Sequence, residues 1–339
     1  MLSGSRMASP ATVHRRRFAL QALAIAAVPS LAVPIWAQGR YPERPVTLVV
    51  PFAPGGNIDF TARVLAEPLG RLLGQPVIVD NRPGAGGVIG AAFVARAKSD
   101  GYTLLLANSG PNAVANAVSR KVPYDGVKDF TVVGGITTNP AVLTVSTRLP
   151  AANFAEFVAY AHARSGGASV GTAGNGSFTH LVIELVRART GLLLTAVPYK
   201  GTGPAAADLM GGQLDAMVDQ VTTAAPLVTQ GRVKAIAQLG PRRSHLLPNV
   251  PTLAEQGFPD IDGTLYTGLF APAGLPTDVT ERLAAALEAA LRDPSVRKRY
   301  HDMGADVSTR PRADFARYAE GEARRWAEAA RASHVSIDE

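Results

Sequence analysis

The 339-residue chain contains no cysteine, which removes disulfides, thiolate nucleophiles and cysteine-based metal sites together. Its stability must come from packing, and a hydrophobic fraction of 47% in a chain long enough for two cores can supply it. Excess charge is also scarce. The formal net charge is +7, but residues 1–37 hold four arginines and no acid, which leaves +3 for the remainder. That is too little for the basic footprint of a nucleic-acid binder, so no nucleic-acid partner is expected. Six scattered histidines form no recognisable metal set, and no Walker loop, nucleophile elbow or zinc helix is present. Neither a cofactor nor a metal is expected.

An uninterrupted membrane-spanning run is missing as well. The apolar stretch from Arg15-Arg16-Arg17 to Ile35-Trp36-Ala37 is broken by Gln21, Pro29, Ser30 and Pro34, whereas a span needs about 20 largely apolar residues. A basic start, an apolar middle and a small-residue end make it an export leader, with cleavage expected after Ala37. Arg15-Arg16 followed by Arg17-Phe18 also fits a twin-arginine leader loosely, so two export routes stay open.

What the chain does have is a glycine-rich turn placed to capture an anion. Pro51-Phe52-Ala53-Pro54-Gly55-Gly56-Asn57-Ile58-Asp59 follows the alternating strand Val46–Val50 and opens a helical pattern with Phe60, Val64, Leu65, Leu69, Leu72 and Leu73. Gly74 ends that helix, and Pro68 is expected to bend it. Free N–H groups and the dipole at a helix start favour a carboxylate or phosphate in front of them. Strands at 76–80 and 102–107 with a loop and helix over 84–97 complete a βαβαβ unit, whose ligands bind where strand C-termini face a crevice.

A second α/β round follows. Strands are predicted at 131–136, 141–145, 169–172, 196–199, 214–218 and 233–238, with a turn at Asn139-Pro140 and helices at 179–190 and 204–211. Strand 266–271 leads into two or three amphipathic helices without a sheet of their own, expected to return over the first domain. The organisation expected is a leader over 1–37, a discontinuous first domain over 38–138 and 266–339, and a second domain over 139–265. Two crossings would then form a hinge.

The motifs resemble one known family, the solute-binding receptors of tripartite tricarboxylate transporters, also called the Bug or TctC family. The resemblance rests on the Pro51–Gly56 loop with Asp59, the run 81–87, 100–104, Pro123-Tyr124-Asp125 with Lys128-Asp129-Phe130, 173–177 with His180, 197–201, 211–215 and 271–274. It implies two doubly wound α/β domains of the type II periplasmic-binding-protein class, closing on a small carboxylate held by backbone amides, hydroxyls and waters. It also implies a monomer in the periplasm that delivers its ligand to inner-membrane transporter subunits. Asn57, Tyr266 and Asp219-Gln220 stand where the family pattern varies, so the resemblance leaves ligand identity to them.

The candidate ligand residues are Phe52, Ala53, Pro54, Gly55, Gly56 and Asn57 on the first loop; Asn108 and Ser109 after the third strand; Asn175, Gly176, Ser177, Thr179 and His180 on the second loop; and Tyr199, Lys200, Gly201 and Asp219 at later strand ends. Each has a plainer role beside it. Ser177 or Thr179 can cap a helix, Asp219 can do the same, His180 can be a packed residue, Lys200 a solvated one, and Asn108-Ser109 a turn. Asp59 is expected to brace the loop, since a carboxylate facing an anion would repel it. Gly84–Gly90 invites a dinucleotide reading but lacks the right glycine spacing. A hydrolase or lyase built on Ser177 and His180, and a ligand-sensing subunit of a signalling system, are the alternatives.

Overall fold

The computed structural model describes residues 41–332; the expected leader and its cleavage site lie outside them. The chain runs β1 (Val46–Val50), α1 (Asn57–Leu73), β2 (Val77–Asn81), α2 (Val88–Ala95), β3 (Thr103–Asn108), a helical turn at 110–114, α3 (Ala115–Val118) and the long β4 (Phe130–Ser146). It continues through α4 (Phe154–His162), β5 (Ala168–Thr172), α5 (Phe178–Thr190), β6 (Leu194–Pro198), α6 (Thr202–Gly211), β7 (Ala216–Gln220), α7 (Val221–Thr229), β8 (Val233–Gln238) and β9 (Thr264–Pro272). α8 (Thr277–Arg292), α9 (Pro294–Asp302), β10 (Asp306–Val307) and α10 (Arg312–Ala332) end it. Among the described residues no helix is long and apolar enough to cross a membrane.

The strands form one curled sheet in the order β2-β1-β3-β9-β4-β7-β5-β6, with β8 and β10 also on β4. β1 pairs in parallel with β2 and β3, and β5 in parallel with β6 and β7. These two parallel groups are joined through the antiparallel strands β9 and β4. The first part of β4, Phe130–Pro140, lies on β9, and the second, Ala141–Val145, on β7. The α/β class expected from the alternation of strands and helices is the one observed.

The turn expected at Asn139-Pro140 does not exist, because β4 runs straight through it. Proline cannot donate to a ladder, which ordinarily confines it to edges and irregularities. Pro140 sits where the partners change: it ends the pairing with β9 opposite Thr264, and Ala141 begins the pairing with β7 opposite Gln220. The missing donor falls at a seam. α4 and α7 went unpredicted, α7 because three threonines and Pro226 obscure its periodicity.

The closing helices do more than cover the first group of strands. Leu283, Leu287 and Leu291 of α8 join the core of β1 and α1, as their spacing predicts. α10 instead enters two cores. Phe315 and Ala319 pack with Leu105, Tyr266 and Phe270, whereas Trp326 and Ala330 pack with Val182, Leu143 and Phe157. Trp326 meets Phe178 edge to face, with ring centroids 5.3 Å apart, and donates from Nε1 to Glu322 Oε2 at 3.2 Å.

Candidate functional site

Four helices begin around one cavity. Its wall comprises Gly56, Asn57 and Ile58 at the start of α1, Ser177, Phe178 and Thr179 at the start of α5, Thr202 of α6 and Gln220 before α7, together with Phe52, Asn108 and Ala173. Every contributor lies at or just after the C-terminal end of a strand, the position at which open α/β sheets bind ligands. No lining residue carries a formal charge. The space between atoms amounts to about 340 Å³, of which about 20 Å³ can take the centre of a water-sized group. That is room for roughly one or two such groups, the bulk of a single carboxylate head.

The helix starts are left open to a guest. Gly56, Gly201 and Gln220, which precede α1, α6 and α7, make no side-chain cap hydrogen bond. Only α5 is capped, by Ser177 Oγ accepting the His180 N–H at 3.2 Å. Helix N-termini carry about +0.5 charge each, so four of them supply roughly +2 without an ionised side chain. Asn57 points the same way: it is 2% exposed, and neither its amide nitrogen nor its amide oxygen has a partner. A buried amide left unpaired is unfavourable until something bonds to it.

Behind the wall stand three titratable groups. Asp59 accepts from Gly55 N–H (3.0 Å), Arg63 Nε (3.0 Å) and Asn81 Nδ2 (3.1 Å). Burial pushes its carboxyl up, but those hydrogen bonds and the Arg63 charge outweigh it and hold the group below its ordinary value. It braces the loop, as its position suggested. His180 Nδ1 accepts the Gly176 N–H at 3.2 Å, so the ring ties down the 174–177 loop; burial first, and the Arg187 charge second, push its pKa down. Asp219 is 1% exposed. Its Oδ1 accepts the Gln220 N–H at 2.8 Å and its Oδ2 accepts the Thr223 hydroxyl. Burial raises it to about 6 despite those bonds and the Thr202 hydroxyl.

Of the residues expected at a ligand, Phe52, Gly56, Asn57, Asn108, Ser177 and Thr179 come together on the cavity. Ala53 and Lys200 meet through the backbone, with Ala53 N–H donating to Lys200 O at 3.1 Å, and the Lys200 side chain is exposed. Pro54, Gly55 and Asn175 are exposed, Gly176 bonds to His180, and Gly201 abuts Ala53. Tyr199 donates to Asp208 Oδ2 at 2.6 Å. Ser109 is fully buried with an unpartnered hydroxyl and does not line the cavity, nor do His180 and Asp219. Tyr266 is packed among Phe315 and Tyr318. Ile58, Ala173, Phe178 and Thr202 were not among the expected ligand residues, with a threonine after Gly201 the available signal for one of them; Gln220, which the family resemblance marked only as a variable position, also lines the wall.

The glycine run after β2 serves contact between loops. A Cβ at Gly86, where φ is +64°, would lie 2.2 Å from Asn175 O, so only glycine lets the 84–87 and 174–177 loops touch. Ser177 and His180 form no nucleophile and base pair, since Ser177 Oγ meets the His180 backbone and the His180 ring meets Gly176. Among the described residues no cluster of three metal-ligating side chains occurs.

Residues 61–333 match the profile of the tripartite tricarboxylate transporter family receptor. Three solved structures are similar throughout. The periplasmic binding protein BugD is 36% identical with a TM-score of 0.84, the match covering 87% of this chain and 99% of BugD. MatC (Rpa3494) from Rhodopseudomonas palustris, with bound malate, is 37% identical with a TM-score of 0.83, over 85% of this chain and 99% of MatC. Rpa4515 of R. palustris, with adipate, is 34% identical with a TM-score of 0.84, over 87% and 99% of the two chains.

Proposed function

Since the chain belongs to the tripartite tricarboxylate transporter receptor family, whose solved relatives are binding proteins, we propose that it captures a small dicarboxylate in the cavity ringed by α1, α5, α6 and α7. The observation that carries this reading is the meeting of four helix starts, three of them uncapped, on a wall with no charged side chain. Partial charges of about +2 in sum suit two carboxylates, and fixed backbone donors need no reorganisation to receive them. Asn57 offers a donor and an acceptor to the rest of the ligand. Relatives with malate and adipate in their structures support the class of solute.

With room for only one or two water-sized groups at its core, the cavity fits a receptor whose lobes part to admit a ligand and close on it. The lobes we infer are residues 38–138 with 266–339 and residues 139–265, hinged where β4 changes partners and where β9 begins. The protein would act as an exported periplasmic monomer, cut after about Ala37, that passes its ligand to inner-membrane transporter subunits. Four charge-assisted hydrogen bonds at about 1.5–3 kcal/mol each sum to about 6–12 kcal/mol, so micromolar binding, about 8 kcal/mol, needs bonds at the strong end of that range and little ordering cost, which preset backbone donors favour. Calorimetric titration with malate, succinate and adipate is expected to give a stoichiometry of one. Silence across a broad carboxylate panel would refute the reading.

A further inference from the structure

The acids behind the helix starts are not equivalent. Asp59, in the first turn of α1, is neutralised by Arg63, 2.9 Å away. Asp219, between α6 and α7, has no such counter-charge among the described residues: what acts on it are the Thr223 and Thr202 hydroxyls and the Gln220 N–H, with Val142 beside it on β4. His180, on α5, faces Gly176, Glu184 and Arg187. Thr202 and Gln220, which touch Asp219, are themselves part of the cavity wall. An anion in this cavity would therefore lie one residue away from a buried carboxylate without a counter-charge. With Asp219 ionised, the surroundings sum to roughly +1, enough for one carboxylate; with it neutral, they sum to roughly +2, enough for two.

Resting on the carboxylate-receptor reading, we propose that Asp219 sets the ligand charge the cavity accepts: enclosing a dicarboxylate draws one proton from solvent onto Asp219, while a monocarboxylate leaves it ionised. The proton comes from the buffer and returns to it on release, and no covalent bond to the ligand forms. Burial has already brought Asp219 to about 6 before any ligand arrives, so a further rise suffices to protonate it near neutrality.

The test is calorimetric titration of the purified exported protein at pH 7.5 with succinate, malate and adipate, all ionised at that pH, and with butyrate, in buffers of different ionisation enthalpy. The dependence of heat on buffer counts protons. Uptake of more than about half a proton per dicarboxylate, and of almost none for butyrate if it binds, is expected. Asp219→Asn should abolish the uptake, and His180→Gln should leave it. Between pH 7 and 8 the dicarboxylate Kd should weaken up to about tenfold, and stay flat in Asp219→Asn. Dicarboxylate binding without proton uptake, uptake that survives Asp219→Asn, or uptake lost only in His180→Gln overturns the proposal and leaves the receptor reading standing. If Asp219→Asn does not fold, the proton count of the unaltered protein decides. Absence of heat with every carboxylate removes the receptor reading itself.

Discussion

On the proposed reading, a single amide carries much of the site's selectivity. Asn57 is buried with both polar atoms unpaired, so a ligand group that satisfies it recovers free energy that water cannot supply once the loops close. Replacing it by aspartate places a charge on an otherwise uncharged wall. Asn57→Asp should weaken dicarboxylate binding by at least about 100-fold, or about 3 kcal/mol, with a smaller change in melting temperature; calorimetry and thermal melts on the same samples check both. Asp219 and Asp59 give opposite pH signatures to the ligand-free protein. A carboxyl raised to about 6 on folding contributes stability below its unfolded value near 3.8, and that contribution is lost as pH rises through 6. Asp59, held low, contributes above its ordinary value and loses that contribution as pH falls through its lowered folded value. The melting temperature of Asp219→Asn should therefore gain on that of the unaltered protein between pH 4 and 7. Asp59→Asn should instead fall behind it as pH rises from about 2 to 4, and keep a constant deficit above that.

At the level of elements, local signals were legible wherever a loop opens onto a helix. Gly56 before α1 and Gly74 after it mark both ends of that helix, and the first anion loop followed from them. Pro140 misled because its meaning depends on partners far away in sequence: a proline at a seam between ladders reads locally as a turn. α7 was missed for its composition, and with it the helix start that Gln220 precedes. The meeting of four helix starts could not be read from spacing, since it depends on β7 lying between β4 and β5 in the sheet. Loop contact offers a separate check. Gly86→Ala forces a Cβ toward Asn175 O at a positive φ, and should cost about 1–3 kcal/mol in the closed form. Calorimetry should register this as at least a fivefold loss of affinity.

Across the whole molecule, the seam in β4 and the double anchoring of α10 pull in different directions. β4 changes partners at Pro140, which suits a hinge, while Trp326 and Phe315 of α10 bury themselves in separate cores. The proposed opening would then occur around α10 or carry it along. The sequence reading sent all the closing helices to the first domain, because amphipathic spacing identifies a buried face and not the surface that buries it.

The contact between Trp326 and Phe178 has an optical consequence. The chain contains two tryptophans, Trp36 and Trp326, so a protein that starts at residue 38 carries only the second. That indole lies edge to face with a ring on the cavity wall, and beneath the guanidinium of Arg325. Its emission is a built-in reporter of occupancy: filling the cavity should shift or quench tryptophan fluorescence in step with binding, with no label attached.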